Sequence, residues 1–131
     1  MKRNQHGFTM IELVVVIVIL GILAATALPK FIDMRTEAQL AAVQGVAGAA
    51  GSAMTLNYAG CSVKNNVVTA GKCVTINACS QVGTLMQGGM PSGYSAAASG
   101  ADIGSTNGAT ATCSVTGGGQ TAGFVGMSAG N

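Results

Sequence analysis

Hydrophobic positions are distributed very unevenly along this chain. Residues 8–29 read FTMIELVVVIVILGILAATALP, an apolar run interrupted only by Thr9, Glu12 and Thr26, with no charged side chain from Leu13 to Leu28. As a helix rising about 1.5 Å per residue, the run is long enough to cross roughly 30 Å of hydrocarbon. Its β-branched residues would weaken a helix in water. In lipid the backbone must satisfy its own hydrogen bonds, which favours the helix. Gly21 and Pro29 bracket a weaker stretch, and both are expected to loosen or break the helix there, proline because it lacks a donor and crowds the preceding turn.

Beyond Pro29 the pattern changes period. Over residues 30–58, Ala38, Ala42, Val46, Ala49, Ala53 and Leu56 recur at spacings of three and four, which predicts an amphipathic helix with those residues on its buried face. Gly45, Gly48 and Gly51 form a ladder of small residues on the same segment. No Gly-Lys-Ser/Thr follows them, so the ladder is not a phosphate loop. It is expected to let a sheet or another helix approach closely.

From residue 59 the signals are those of short strands and turns. Residues 61–63 and 67–69 flank Asn65 and Asn66 as an expected hairpin, 73–78 is an expected strand, and 80–104 reads as loop with a turn at 90–93. Residues 109–116 and 121–127, on either side of Gly117, Gly118 and Gly119, form the clearest hairpin. The expected fold class is α+β. A long N-terminal helix packs, through its second half, on a small antiparallel sheet. The expected organisation is a leader at 1–7, a membrane-spanning helix half at 8–29, an amphipathic helix half at 30–58 and a β-rich head at 59–131.

Composition sharpens this picture. The chain has 131 residues, 20 glycines and no tryptophan, so the head cannot build a large aromatic core. Small domains with thin cores usually need covalent staples. Cys61, Cys73, Cys79 and Cys113 are an even number confined to the head, which points to two disulfides made in an oxidising compartment. Three connectivities are open. We favour Cys61 with Cys73, closing a local loop, and Cys79 with Cys113, clamping the long loop to the last hairpin. The four cysteines lack C-x-x-C spacing and the single histidine, His6, sits at the other end of the chain, so no metal site and no cofactor are expected.

After Glu37 the only charged residues are Lys64, Lys72 and Asp102. Without a basic patch, no nucleic-acid site is identifiable. Catalysis is equally poorly supplied: the acids are Glu12, Asp33, Glu37 and Asp102, and they offer no recognisable acid–base pair or activated nucleophile. The chain is not expected to be an enzyme.

The N-terminus carries the most specific signal. A secretory signal peptide would have a shorter apolar core, ended by a small-x-small cleavage site and not followed by more helix. A plain membrane anchor accounts for Lys2 and Arg3 on the cytoplasmic side but not for Glu12. A carboxylate at the centre of a span costs about 2.5–3.5 kcal/mol, less near its end, and is functional by default. Lys2 and Arg3, followed by Gly7-Phe8-Thr9-Met10-Ile11-Glu12-Leu13 and an uninterrupted apolar run, resemble the type III signal of type IV prepilins and pseudopilins. Met10 stands where that family more often has leucine. The resemblance is specific over about the first thirty residues and general beyond them.

The resemblance implies cleavage between Gly7 and Phe8 by a prepilin peptidase and N-methylation of Phe8. It also implies that Glu12 pairs with the Phe8 amine of a neighbouring subunit, which sets axial register, and that the stretch from Gly21 to Pro29 can melt in a filament. The implied protein is a type IV pilus subunit, held in the inner membrane and then assembled into an extracellular homopolymer by the pilus machinery. Such filaments serve adhesion, twitching motility, DNA uptake or conduction. The rivals within the family are a minor pilin and the pseudopilin of type II secretion. The latter typically holds calcium, an ion that wants six to eight oxygens, usually including several carboxylates. After Glu37 this chain offers only Asp102.

Overall fold

The computed structural model describes residues 7–131. The chain forms two compact units that meet between Thr36 and Glu37. One helix, α1 (Met10–Val63), contributes to both. The predicted leader, with Lys2, Arg3 and His6, lies outside the described residues except for Gly7.

From Leu13 to Leu28 α1 is apolar on all sides, and none of the described residues covers it. Every large side chain from Phe8 to Leu28 is exposed, Leu13 at 55% and Leu20 at 58% among them. A helix that is hydrophobic all round normally lies in lipid or in the middle of a larger body.

The second unit, Glu37–Asn131, holds the core. The last turns of α1 bury Val43, Ala47, Ala50, Met54, Asn57 and Cys61 at alternating spacings of four and three. This corrects the expected face. Ala38, Ala42 and Ala49 are exposed, Leu56 is 73% exposed, and Val46 and Ala53 lie at the margin of the core. The true stripe is rotated by about one residue, and the anchors at its C-terminal end account for the rotation. Cys61 must reach Cys73, and Asn57 places its amide against the Val74 peptide, donating to the Val74 carbonyl at 2.8 Å and accepting from the Val74 N–H at 2.9 Å. Alanines on both faces left the sequence pattern unable to choose.

Helix α1 also runs further than expected. Residues 61–63, read as a strand, are its last turn. It ends at Asn65 and Asn66, with φ of 52° and 59°, where the Asn66 N–H returns to the Cys61 carbonyl at 2.8 Å. Asparagine tolerates this left-handed conformation, and the returning bond satisfies a carbonyl that the helix leaves open. The pair is a helix stop and not a hairpin turn. Residues 73–78 likewise form no strand, only single bridges of Cys73 to Thr69 and Ile76 to Ala129. The Asn57 side chain takes both polar groups of Val74, so a neighbouring strand cannot.

The region read as loop contains a 3-10 helix, Cys79–Leu85, and a strand, β1 (Tyr94–Ala98). Strands β2 (Thr110–Gly117) and β3 (Gln120–Met127) form the expected glycine hairpin. Gly117 pairs with Gln120, so Gly118 and Gly119 are the two-residue loop, with φ of 58° and 77°. Two consecutive positive φ values suit the right-handed twist of the flanking strands and favour glycine. The sheet order is β1-β2-β3, antiparallel throughout. Its inner face, with Val115 and Phe124, closes on Val43, Ala47, Ala50 and Met54 of α1 together with Ile76, Val82 and Ile103. The α+β architecture is therefore a helix half packed on a three-stranded sheet.

Candidate functional site at the helix start

Two residues at the head of α1, Thr9 and Glu12, form a closed hydrogen-bonded ring. Thr9 precedes the first helical residue, Met10, and Glu12 lies three positions after it. The Thr9 N–H and the Thr9 hydroxyl both donate to Glu12 Oε2 at 2.9 Å, and the Glu12 N–H donates to Thr9 Oγ1 at 3.3 Å. This reciprocal pairing is a capping box, which satisfies backbone donors that the first helical turn leaves without partners. The Thr-x-x-Glu spacing was available in the sequence, so Glu12 could have been read as a cap as well as an intramembrane acid. The box starts the helix just beyond Phe8. Gly7, Phe8 and Thr9 lie outside it and are exposed, and nothing packs within 4 Å of the Gly7 α-carbon's missing substituent.

The remaining predicted residues fall in two groups. Gly21 and Pro29 sit inside α1, which continues through both, so the isolated chain shows no break there. Proline costs a helix one hydrogen bond and local crowding, yet α1 runs on past Pro29 to Val63. Thr26 adds bonds to the Leu23 and Ile22 carbonyls at 3.0 and 3.4 Å. The four cysteines lie far along the chain in the head. The structure joins Cys61 to Cys73, with α-carbons 4.5 Å apart, and Cys79 to Cys113, with α-carbons 5.6 Å apart. All four are almost fully buried.

Sequence reasoning also missed the task of Asp102. Its Oδ1 accepts from the N–H groups of Cys79 and Ile103 at 2.8 and 2.9 Å. It thereby caps the 3-10 helix beside the Cys79 disulfide, a structural duty for the one acid in the sheet region. Nothing in the sequence around residue 102 signals a partner 23 positions away.

In sequence order, then, a capped apolar helix start is followed by a small disulfide-bearing antiparallel sheet. Comparison with known proteins adds to this. Residues 2–28 match the family described as the prokaryotic N-terminal methylation motif. The type IV narrow pilus major component PilA5 of Thermus thermophilus is 47% identical over 53 residues, which are 40% of this chain and 46% of that protein. The fimbrial protein EcpC of Eikenella corrodens is 43% identical over 58 residues, 44% of this chain and 38% of that protein. The type IV major pilin protein PilE1 of Neisseria gonorrhoeae is 47% identical over 58 residues, 44% of this chain and 35% of that protein. The chain thus spans less than half the length of the curated relatives it matches. No solved structure matches it. Over this N-terminal segment the chain is similar to type IV pilins and carries the methylation motif.

Proposed function

We propose that this chain is the subunit of a type IV pilus, anchored in the inner membrane by residues 8–29 until it joins an extracellular homopolymer. One observation carries the reading: the methylation motif, residues 2–28, runs into a helix whose apolar side chains from Leu13 to Leu28 face every direction and are exposed. Such a surface needs lipid in one state and other copies of itself in another. Prepilin peptidase would cut between Gly7 and Phe8, which lie outside the helix, and Phe8 would then be N-methylated.

Once cut, the Phe8 amine is a cation one helical turn from Glu12. In a filament core the amine of an incoming subunit pairs with the Glu12 carboxylate of its neighbour, because either charge alone would be costly there. The stretch from Gly21 to Pro29, helical in the single chain, is the segment expected to melt on assembly. The two disulfides would staple an exported head that has few large side chains of its own. The filament serves adhesion, twitching motility or DNA uptake.

The test is the intact mass of subunits from sheared filaments. The expected mass is that of a chain beginning at Phe8, with one added methyl group and four hydrogens lost to two intramolecular disulfides. Gly7→Val should leave only uncut precursor in the membrane. A chain that begins elsewhere, or a Gly7→Val chain still starting at Phe8, contradicts the reading.

A further inference from the structure

The head carries an open apolar groove between α1 and the end of the 3-10 helix. Its volume is about 720 Å³, and its lining includes Ala53, Leu56, Leu85 and Met86, with Gly71 and Lys72 along one side. Leu56 stands in it 73% exposed. Lys72 is exposed too, and it is one of only two cations beyond Arg35.

The chain is so poor in charge that a partner for Lys72 follows by elimination. The acids are Glu12, Asp33, Glu37 and Asp102. Asp102 is committed to the N–H groups of Cys79 and Ile103, and Glu12 is held by Thr9 at the start of the apolar span. Of the two that remain, Glu37 belongs to the compact unit that carries the groove, and it is exposed. Within one chain it cannot reach Lys72. The Lys72 backbone lies against Gly60. Gly60 is 23 residues beyond Glu37 on the same helix, about 35 Å at the helical rise. Glu37 also opens an exposed face of α1 that continues through Leu40, Ala41, Gln44 and Gly48, at the spacing of one helix side. That face offers one acid, one leucine and otherwise small or neutral residues. The groove offers one lysine and a protruding leucine.

We propose that the groove is a docking surface for a second copy of this chain: it takes the exposed face of α1 around Glu37 and Leu40, with Lys72 and Glu37 as the ion pair that fixes register. The inference rests on the reading of the chain as a homopolymer subunit, and it names a contact between heads. Apolar helix faces seated in apolar grooves supply contact area. The small residues of the incoming face leave room for Leu56, and a charge pair beside such a contact selects one alignment over others more than it adds affinity.

Charge reversal in the full chain tests this. Lys72→Glu and Glu37→Lys fall at exposed positions, so both variants are expected to form both disulfides, to be cut ahead of Phe8 and to remain in the membrane as wild type does. Sheared filament per processed subunit is expected to fall at least about tenfold in each, because like charges then meet in the contact. Combining the two reversals is expected to restore it. Carbodiimide treatment of wild-type filaments, which joins an amine directly to a carboxylate it touches, is expected to yield a Lys72–Glu37 link in a species of twice the subunit mass. Undiminished filaments in either single variant, no recovery in the double variant, or absence of the Lys72–Glu37 link overturns the proposal. A wild-type chain that forms no filament at all overturns instead the homopolymer reading beneath it, so the two failures are distinguishable.

Discussion

Residues 10–28 and 43–61 lie on the same helix and follow opposite rules. In the first stretch apolar side chains point in every direction and every large one is exposed, with Ile17 at 57% and Ile22 at 62%. In the second, six positions are buried, with Val43, Ala50, Met54 and Cys61 at 0%. The first stretch is richer in hydrophobic bulk, yet it is the second that folds with the rest of the chain. Hydrophobic content alone therefore does not decide what a helix packs against. A narrow stripe matches one partner surface. An unbroken coat matches a solvent, whether lipid or a bundle of identical helices.

That contrast makes the two stretches separable by mutation. The largest effect is expected at Glu12. Glu12→Ala leaves the head untouched, so disulfide formation and thermal unfolding of the head should match wild type. Polymerisation should fail, because each subunit then buries an amine without its partner, at a cost of about 3–5 kcal/mol if the site is dry. The amount of sheared filament, compared with membrane-held subunit, measures this. Wild-type filament levels would show that apolar packing alone drives assembly.

Next is Met54, fully buried at the middle of the head stripe. Met54→Ala should destabilise the head by about 2–5 kcal/mol, read from its denaturation midpoint, with membrane retention of the subunit unchanged. The smallest effect belongs to Leu56, two positions further on and 73% exposed. Leu56→Ala should change head stability by less than about 0.5 kcal/mol. If Leu56 proved as costly as Met54, the helix would sit on the face originally read from its periodicity, and the rotation seen in the structure would be wrong.

The same pair shows how far the sequence could be read. The N-terminal stretch was legible because its signal is local: a glycine, an aromatic and an acid at fixed spacing ahead of a span. The β2–β3 hairpin was legible for the same reason, since three glycines between alternating strands admit few other readings. The stripe on α1 was not. Alanine at 38, 42, 49 and 53 competes evenly with alanine at 47 and 50, and what decides between them is distant. Asn57 pairs with Val74, 17 residues away, and Cys61 with Cys73, 12 away. Strand β1 was missed because Ala96, Ala97 and Ala98 carry little strand preference. They are strand because Ala98 lies opposite Cys113 and Tyr94 opposite Gly117. The task of Asp102 was hidden in the same way.

The two disulfides also set how the molecule can respond to being pulled. The chain between Cys61 and Cys73 is short-circuited over a separation of 12 residues, and that between Cys79 and Cys113 over 34. A fully extended chain yields about 3.5 Å per residue, so the bridges lock away slack of about 40 Å and about 120 Å. Tension that unravelled the head could not draw on either loop. Load entering along α1 at Cys61 would cross directly to Cys73, bypassing the asparagine stop. Under load the head could lengthen only through the residues outside the two loops, 74–78 and 114–131.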